Sequence, residues 1–324
     1  MVSIVDEPIL ETENLTRYFD IGKKQIVHAV DGVNIAVSEK EILGLVGESG
    51  SGKSTFGKVI LGLHPKTMGT VKFRGQVLPK KYTSADFQRW SQKMQMIFQD
   101  PYSSLNPRMT VGEIIGEGLR LRTGFNNSQI KEKVADWLLK VGLQPDHMSR
   151  YPHEFSGGQR QRIGIARALI LEPEFVICDE PISALDVSVQ AQVVNLLGEL
   201  KEKMGLTVIF IAHDLSMVRY VSDRVAVMYL GSIVEIGEAD QIYFDPKHPY
   251  TNILVGSNPE PDPIKEKKRP STTIQGEIPS PVNVAPGCRF ANRCPNVEDI
   301  CKRVTPNLLP LKDVGRQVAC HLFN

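Results

Sequence analysis

The sequence lacks a long apolar run. Apolar residues make up 41% of its 324 residues, yet no stretch approaches the about 18 consecutive residues that a membrane-spanning helix needs. The acidic, mixed residues 1–13 are unlike a signal peptide. The net charge is only +1, so no strong electrostatic footprint for nucleic acid is present. We therefore expect a cytosolic protein that reaches a membrane only through a partner and that does not bind nucleic acid.

Cysteine is also scarce, and its distribution is uneven. Four of the five cysteines lie near the C-terminus, separated by 5, 6 and 18 residues. Disulfides are rare in the cytosol, and structural zinc sites usually contain cysteine pairs about two to four residues apart. With Pro295 after the second cysteine, the spacing leaves an iron–sulfur cluster and zinc equally favoured, ahead of free thiols. The four candidate ligands are Cys288, Cys294, Cys301 and Cys320.

Short apolar runs alternate with helical periodicity along most of the chain. This alternation predicts an α/β fold with a parallel sheet and helices on its faces. A mostly helical lobe, about residues 100–168, is inserted between the first two strands, and its clearest helical part is 119–143. The predicted strands are residues 42–46, 175–178, 206–212 and 225–229, with an antiparallel hairpin at 70–78. The predicted helices are residues 53–63, 160–170 and 189–204.

The composition changes near residue 258. Seven prolines lie between residues 258 and 286, a density typical of a linker or an extended arm. We therefore predict one large domain over residues 1–257, followed by a linker and a small cysteine-rich region over residues 258–324.

A phosphate-binding loop is the clearest motif. It lies between a predicted strand and a predicted helix, where glycines let backbone N–H groups converge on phosphates and the helix adds its positive end. In this pattern Lys53 reaches the β- and γ-phosphates, and Ser54 places its hydroxyl on Mg²⁺. A glycine-rich turn is the weaker alternative. The ATP-binding candidates here are Gly47, Glu48, Ser49, Gly50, Ser51, Gly52, Lys53, Ser54 and Thr55.

An acidic pair follows the second predicted strand. A carboxylate at the C-terminal edge of a parallel strand faces the same crevice as a phosphate loop. Asp179 is therefore expected to hold Mg²⁺, and Glu180 to orient and deprotonate the attacking water. Cys178, within the strand, is expected to pack in the core.

A Ser-Gly-Gly-Gln segment suggests that two cassettes share each nucleotide. Small residues ahead of a helix form a second anion-facing N-terminus. One chain cannot bring two such sites on separate lobes to one γ-phosphate, whereas a second copy related by two-fold symmetry can. The alternative is that the serine only caps the helix. The segment consists of Ser156, Gly157, Gly158 and Gln159.

The order of these motifs resembles that of ABC-type ATPases over roughly residues 9–255. The order runs from the phosphate loop through Gln99, the Ser-Gly-Gly-Gln segment, the acidic pair and Ser-Ala-Leu-Asp at 183–186 to His213. The resemblance implies an ABC-type phosphate-loop ATPase: a parallel RecA-like sheet core with an antiparallel β lobe and an inserted helical lobe. A small cysteine-rich C-terminal extension follows.

The same resemblance implies roles for further residues. Gln99 would contact Mg²⁺ and the attacking water and couple the site to a membrane subunit. Asp186, with the rest of residues 183–186, would bridge the two cassettes, and His213 would hold the γ-phosphate and Glu180. The register of the family motif favours Phe19 for stacking on adenine, with Tyr18 as the alternative.

Two segments resemble a narrower group. Residues 99–108 and 151–155 look like the ATP-binding subunits of dipeptide and oligopeptide importers, and the residues around Lys53 and Gln159 resemble the F-type rather than the D-type subunit. This implies ATP and Mg²⁺, a D-type ATPase partner (a homodimer in isolation), two membrane-spanning permease subunits and an extracytoplasmic peptide-binding protein. The chain would lie at the cytoplasmic face of the membrane.

Several alternatives stay open at this stage. Importers of nickel and of oligosaccharides share these segments, so the substrate is not fixed. ABC-type ATPases of DNA repair, translation and iron–sulfur assembly are less favoured, because this chain has no long coiled-coil insertion and only one cassette. The resemblance favours a [4Fe–4S] cluster on the C-terminal cysteines, which would help that segment to fold. Redox gating of the ATPase is a related alternative.

Overall fold

The computed structural model describes residues 7–183, 185–257, 279–312 and 315–323. Two compact units are present: residues 1–81 with 212–324, and residues 82–211. Most of the predicted linker lies outside the described residues. The division into a domain over residues 1–257 and a region over residues 258–324 stays a prediction.

The elements are numbered in chain order. The N-terminal part of the first unit contains β1 (Leu10–Asp20), β2 (Ile26–Val37), β3 (Ile42–Val46), α1 (Lys53–Ile60), β4 (Met68–Phe73) and β5 (Gln76–Val77). The second unit contains α2 (Ser84–Trp90), β6 (Met94–Ile97), α3 (Pro101–Ser104), α4 (Val111–Arg122), α5 (Asn127–Lys140), α6 (Gly157–Leu169), β7 (Phe175–Asp179), α7 (Val187–Met204) and β8 (Thr207–Ala212), with short 3-10 helices at Pro145–Ser149 and Pro152–Glu154. The remainder of the first unit contains α8 (Leu215–Val221), β9 (Arg224–Tyr229), β10 (Ser232–Glu238), α9 (Ala239–Phe244), α10 (Pro249–Ser257), β11 (Leu309–Pro310) and β12 (Gln317–Val318), with 3-10 helices at Ala291–Arg293 and Asp299–Lys302.

The first unit carries two groups of strands. One is an antiparallel sheet in the order β2-β1-β4-β5, which contains the predicted hairpin. In the other, β3 pairs in parallel with β9, and β10, β12 and β11 follow in antiparallel pairing. The C-terminal strands β11 and β12 therefore extend the same strand group that carries the phosphate loop at the end of β3.

The second unit has a parallel core. Strands β6, β7 and β8 pair in parallel, and every residue of β7 and β8 is buried. Such two-sided burial explains why these strands are continuous apolar runs rather than alternating ones. The mixed α/β architecture predicted from the sequence is thus confirmed.

The helical predictions differ from the structure in their bounds, least for the helix predicted at 189–204, which begins at Val187. The long helix at 119–143 is two helices, because Thr123 is extended and Asn126 begins α5 with a capping box to Gln129. The helix predicted from residue 160 begins three residues earlier, where Ser156 caps it. The helix predicted to reach residue 63 ends at Ile60, because Gly62 adopts a φ of +74°.

A buried ion pair fastens the C-terminal segment to the first unit. Arg316 and Glu235 of β10 are 1% and 0% exposed, and their charged atoms lie 2.7 Å apart. The carboxylate of Glu235 also accepts the backbone N–H groups of Lys247 and His248. These contacts satisfy a charge that would otherwise be costly to bury.

We predict that Arg316→Ala lowers the free energy of unfolding by about 3 kcal/mol, because Glu235 would keep its burial but lose its counter-charge. Denaturant unfolding measures the change. The matched control is Arg303→Ala in the same segment, where the side chain is exposed and a change within about 0.5 kcal/mol is expected. Equal losses in both variants would contradict the assignment.

Candidate functional site

The phosphate loop is built on close backbone approaches. A Cβ added at Gly47 would lie 2.1 Å from the carbonyl oxygen of Met228, and one at Gly52 would lie 2.0 Å from that of Ala29. A Cβ added at Gly50 would meet nothing within 4 Å, but the backbone φ of +79° at this position favours glycine. Glycine is therefore required at two positions for space and at a third for backbone conformation.

Two polar side chains of the loop are buried. Lys53, 4% exposed, donates from Nζ to the carbonyl oxygens of Gly47 at 2.7 Å and Glu48 at 3.0 Å. Ser51 is 3% exposed, and its Oγ has no hydrogen-bond partner within the described residues. A buried hydroxyl without a partner just before α1 could donate a hydrogen bond to a phosphate oxygen, as expected for a phosphate-binding loop. Ser54 and Thr55 follow in the first turn of α1, and Ser49 is exposed at the loop tip.

Residues far along the chain also contact the loop. The guanidinium of Arg293 binds both carboxylate oxygens of Glu48, at 2.8 and 2.9 Å. The N–H of Glu48 donates to the hydroxyl of Tyr250 at 2.9 Å. The sequence analysis missed both residues, because no spacing signal connects them with a loop about 200 residues earlier.

In the second unit, Gln99 and Glu180 lie together. The Gln99 side-chain amide donates to Glu180 Oε2 at 2.8 Å, directly beyond β6 and β7. Asp179, the last residue of β7, is 3% exposed. Glu180 has a φ of +43°, which is strained for a residue other than glycine, and its N–H donates to the carbonyl of Ile211 at 3.0 Å. Backbone strain of this kind is concentrated at functional sites.

The Ser-Gly-Gly-Gln segment forms the N-terminus of α6. Ser156 Oγ accepts the N–H of Gln159 at 3.3 Å, and the Gln159 side chain accepts the N–H of Ser156 at 3.0 Å. The capping role that the sequence analysis kept as an alternative is therefore present. Gly157 and Gly158 are the first two residues of this 13-residue helix. The positive end of the helix dipole therefore lies at the Ser-Gly-Gly-Gln segment.

Three further predicted residues occupy the ends of elements. Asp186 is exposed and begins α7. Ser183 donates its hydroxyl to the carbonyl of Glu180 at 3.2 Å. His213 is exposed directly after β8 in the chain, and the next residue, Asp214, caps α8.

The two aromatic candidates have different surroundings. The Tyr18 hydroxyl donates to Asp31 at 2.7 Å, and burial together with this bond raises the pKa of Tyr18 to about 12. Phe19 is half-buried, with the guanidinium of Arg17 4.2 Å from its ring centre and His64 against its edge. Tyr18 is thus part of a polar network, whereas Phe19 presents an aromatic ring at the end of β1.

The iron–sulfur prediction is wrong. In the part of the chain that the structure describes, no group of three or more His, Cys, Asp or Glu side chains could hold a metal ion. Burial raises the pKa of Cys288 to about 11 and also raises the pKa of Cys294 and Cys320, which favours thiols over the thiolates that metals bind. The fourth thiol, Cys301, is 9% exposed.

The C-terminal segment packs through other contacts. Phe290 is 1% exposed and packs against Tyr229 and Tyr250, with ring centres 5.3 and 5.4 Å apart. The bonds of Arg293 and Arg316 and the pairing of β12 with β10 add to this. The segment is therefore held by packing and buried ion pairs, so no cluster is needed to explain its fold. Cys178 lies in the core of β7, as expected.

Comparison with known families agrees with the fold and motifs. The ABC transporter family model matches residues 30–183, and the model described as the C-terminal region of oligopeptide/dipeptide transporters matches residues 234–301. Among curated proteins, the putative oligopeptide transport ATP-binding protein YkfD of Bacillus subtilis (strain 168) is 55% identical over 98% of this chain and 96% of its own length. The oligopeptide transport ATP-binding protein OppF of Escherichia coli (strain K12) is 51% identical, covering 93% of this chain and 92% of OppF.

Solved structures support the same class. A dimeric, post-hydrolysis structure of the ATP-binding cassette MJ0796 with ADP and Pi has a TM-score of 0.65 and 27% identity, covering 71% of this chain and 98% of MJ0796. CbiO1 of Clostridium perfringens, part of the transporter complex cbiONQ, also has a TM-score of 0.65, with 26% identity over 74% of this chain and 92% of CbiO1.

The chain belongs to the ABC transporter family of ATPases. Within that family its high-identity relatives are oligopeptide transport ATP-binding proteins, which confirms the resemblance identified from residues 99–108 and 151–155. ABC-type ATPases use ATP with Mg²⁺. Among the described residues, no helix is both long and apolar enough to cross a membrane.

The two glycines at the start of α6, Gly157 and Gly158, differ in the space available for a side chain. A Cβ at Gly158 would lie 2.5 Å from Cγ1 of the stiff side chain Val189, whereas one at Gly157 would meet nothing closer than 3.5 Å. Gly158→Ala should therefore lower the free energy of unfolding by about 1–2 kcal/mol, and Gly157→Ala should leave it unchanged or raise it.

Denaturant unfolding of the two variants side by side is the measurement. Adding Val189→Ala to Gly158→Ala should recover part of the loss, because it removes the contacting methyl groups. Equal stability of the two glycine variants would show that this steric contact is unimportant.

Proposed function

We propose that this chain hydrolyses ATP to energise a membrane importer of oligopeptides. The observation that carries the proposal is the phosphate loop, with its buried Lys53 and unpartnered Ser51 hydroxyl, in a chain 55% identical to an oligopeptide transport ATP-binding protein. The relatives' names favour peptides over nickel or oligosaccharides as the transported substrate.

The chain's own side chains suggest a division of labour. Lys53 and the loop N–H groups bind the β- and γ-phosphates, and Phe19, whose ring is not tied into the Asp31 network, stacks on adenine. Ser54, Asp179 and Gln99 would hold Mg²⁺, which would supply positive charge next to the phosphates.

Glu180 is the proposed general base. Its carboxylate accepts a hydrogen bond from the Gln99 amide at 2.8 Å. Its positive φ sets the direction in which the side chain leaves the backbone. A water oriented by Glu180 would attack the γ-phosphorus, with its proton passing to the Glu180 carboxylate. The bond between the γ-phosphorus and the β–γ bridging oxygen would break, and ADP would leave. His213 would contact the γ-phosphate and Glu180.

The active unit that we propose contains two cassettes. The N-terminus of α6, with Ser156, Gly157, Gly158 and Gln159, would complete the nucleotide site of the partner, and Asp186 would bridge the pair. The dimeric state of MJ0796 with ADP and Pi supports this arrangement. We propose a D-type ATPase as the partner in the importer, two permease subunits and a peptide-binding protein, with this chain at the cytoplasmic face of the membrane.

We predict that Glu180→Gln keeps ATP binding but lowers ATP turnover at least about 100-fold, because the amide cannot accept the proton from water. Binding is measured with a fluorescent ATP analogue, and turnover by phosphate release in the assembled transporter. The contrasting variant is Lys53→Ala, which should lose binding itself. Turnover of Glu180→Gln within tenfold of the wild type would remove Glu180 from this role.

A further inference from the structure

The C-terminal segment contacts the phosphate loop through a paired hydrogen bond. The Arg293 Nη1 and Nη2 groups donate to Glu48 Oε2 and Oε1 at 2.8 and 2.9 Å. The two side chains are 4% and 18% exposed, so solvent screens this pair only weakly. Two parallel bonds between a guanidinium and a carboxylate fix orientation as well as charge.

Arg293 is itself held firmly. Its Nη1 also donates to the Tyr229 hydroxyl at 3.3 Å, and its guanidinium lies 5.8 and 5.9 Å from the ring centres of Tyr229 and Phe290. Phe290 begins the short helix Ala291–Arg293 and is 1% exposed. The guanidinium therefore cannot leave Glu48 without disturbing an aromatic cluster.

Glu48 is anchored at each of its polar groups. Its N–H donates to the Tyr250 hydroxyl at 2.9 Å, and its carbonyl accepts from Ser51 N at 3.1 Å and from Lys53 Nζ at 3.0 Å. Ser51 and Lys53 belong to the loop itself, whereas Arg293 and Tyr250 come from outside it. The bonds of Arg293 and Tyr250 use the carboxylate and the N–H of Glu48, so they do not depend on the bond of Lys53 to its carbonyl.

The positive charge of Arg293 also neutralises the carboxylate of Glu48. A carboxylate in a loop that receives a polyphosphate repels the ligand unless a counter-charge is close, and the repulsion is strongest where water is excluded. Arg293 supplies that counter-charge to Glu48 at hydrogen-bond distance.

We propose that Arg293 is a positioning residue for ATP binding, through which the C-terminal segment fixes the phosphate loop and neutralises Glu48. The inference rests on the proposed ATP site and adds a role for the segment that follows the cassette. The ligand is a nucleoside triphosphate, and the effect is on its affinity rather than on the chemical step.

The test is a set of variants of the full-length chain. Binding of a fluorescent ATP analogue gives Kd, and steady-state hydrolysis by the assembled transporter that contains the variant gives KM and kcat. Arg293→Ala should raise Kd and KM for ATP by about tenfold, which corresponds to the loss of a charged hydrogen bond. The kcat should stay within about threefold, because Gln99 and Glu180 are unchanged. Tyr250→Phe, which removes only a hydroxyl, should raise Kd by a smaller factor.

Two comparisons separate positioning from general loosening. Arg293→Lys keeps the charge but loses the paired geometry, and it should also weaken ATP binding. The matched control is Arg316→Lys, which alters a buried arginine of the same segment that bonds to Glu235 and Asp245 rather than to the loop. Its Kd should stay within twofold of the wild type. Glu48→Gln added to Arg293→Ala should bind ATP more tightly than Arg293→Ala alone, because the unpaired carboxylate is gone.

An unchanged Kd in both Arg293→Ala and Tyr250→Phe would overturn the proposal. It would also be overturned if Arg316→Lys weakened binding as much as Arg293→Lys, since the effect would then be general loosening. If Arg293→Ala does not fold, the Kd values of Arg293→Lys and Tyr250→Phe test the proposal instead. Lys53→Ala separates the two claims: if it still binds ATP, the ATP site itself is misassigned, whatever Arg293 does.

Discussion

The contact on which the rest of the site depends is the packing of the phosphate-loop backbone against two carbonyl groups. Gly47 lies against Met228 and Gly52 against Ala29, so closely that no side chain fits at either glycine. This packing fixes the loop between β3 and α1 and buries Lys53 and Ser51 within it. The conformation of the loop is thus fixed by its neighbours in the first unit, as the proposed binding of phosphate requires.

The C-terminal segment is attached to the first unit by specific side-chain contacts. Two buried arginines hold it, Arg293 at the loop and Arg316 at β10, and Phe290 packs against Tyr229 and Tyr250. These contacts, rather than the cluster that the family resemblance implied, hold the segment in place. They also explain why a segment with few apolar residues adopts a defined structure: the cost of burying each charge is offset by a partner with good geometry.

Local features were predictable from the sequence, and distant pairings were not. The buried parallel strands are uninterrupted apolar runs, and the phosphate loop and acidic pair follow such runs directly. In contrast, the break after α4 depends on the capping box of Asn126, and the bond between Arg293 and Glu48 joins residues 245 positions apart. The iron–sulfur prediction came from the family resemblance, because cysteine spacing alone left a cluster and zinc equally favoured. Neither reports burial, which raises the pKa of Cys288.

We propose that ATP hydrolysis by this chain powers peptide import. The most direct measurement is uptake of a labelled oligopeptide into liposomes that contain the transporter purified through this chain, with its binding protein added. We expect uptake only when ATP and Mg²⁺ are supplied on the side that carries this chain, and none when a non-hydrolysable ATP analogue replaces ATP. Uptake that is independent of ATP, or ATP hydrolysis by the complete transporter without peptide uptake, would contradict it.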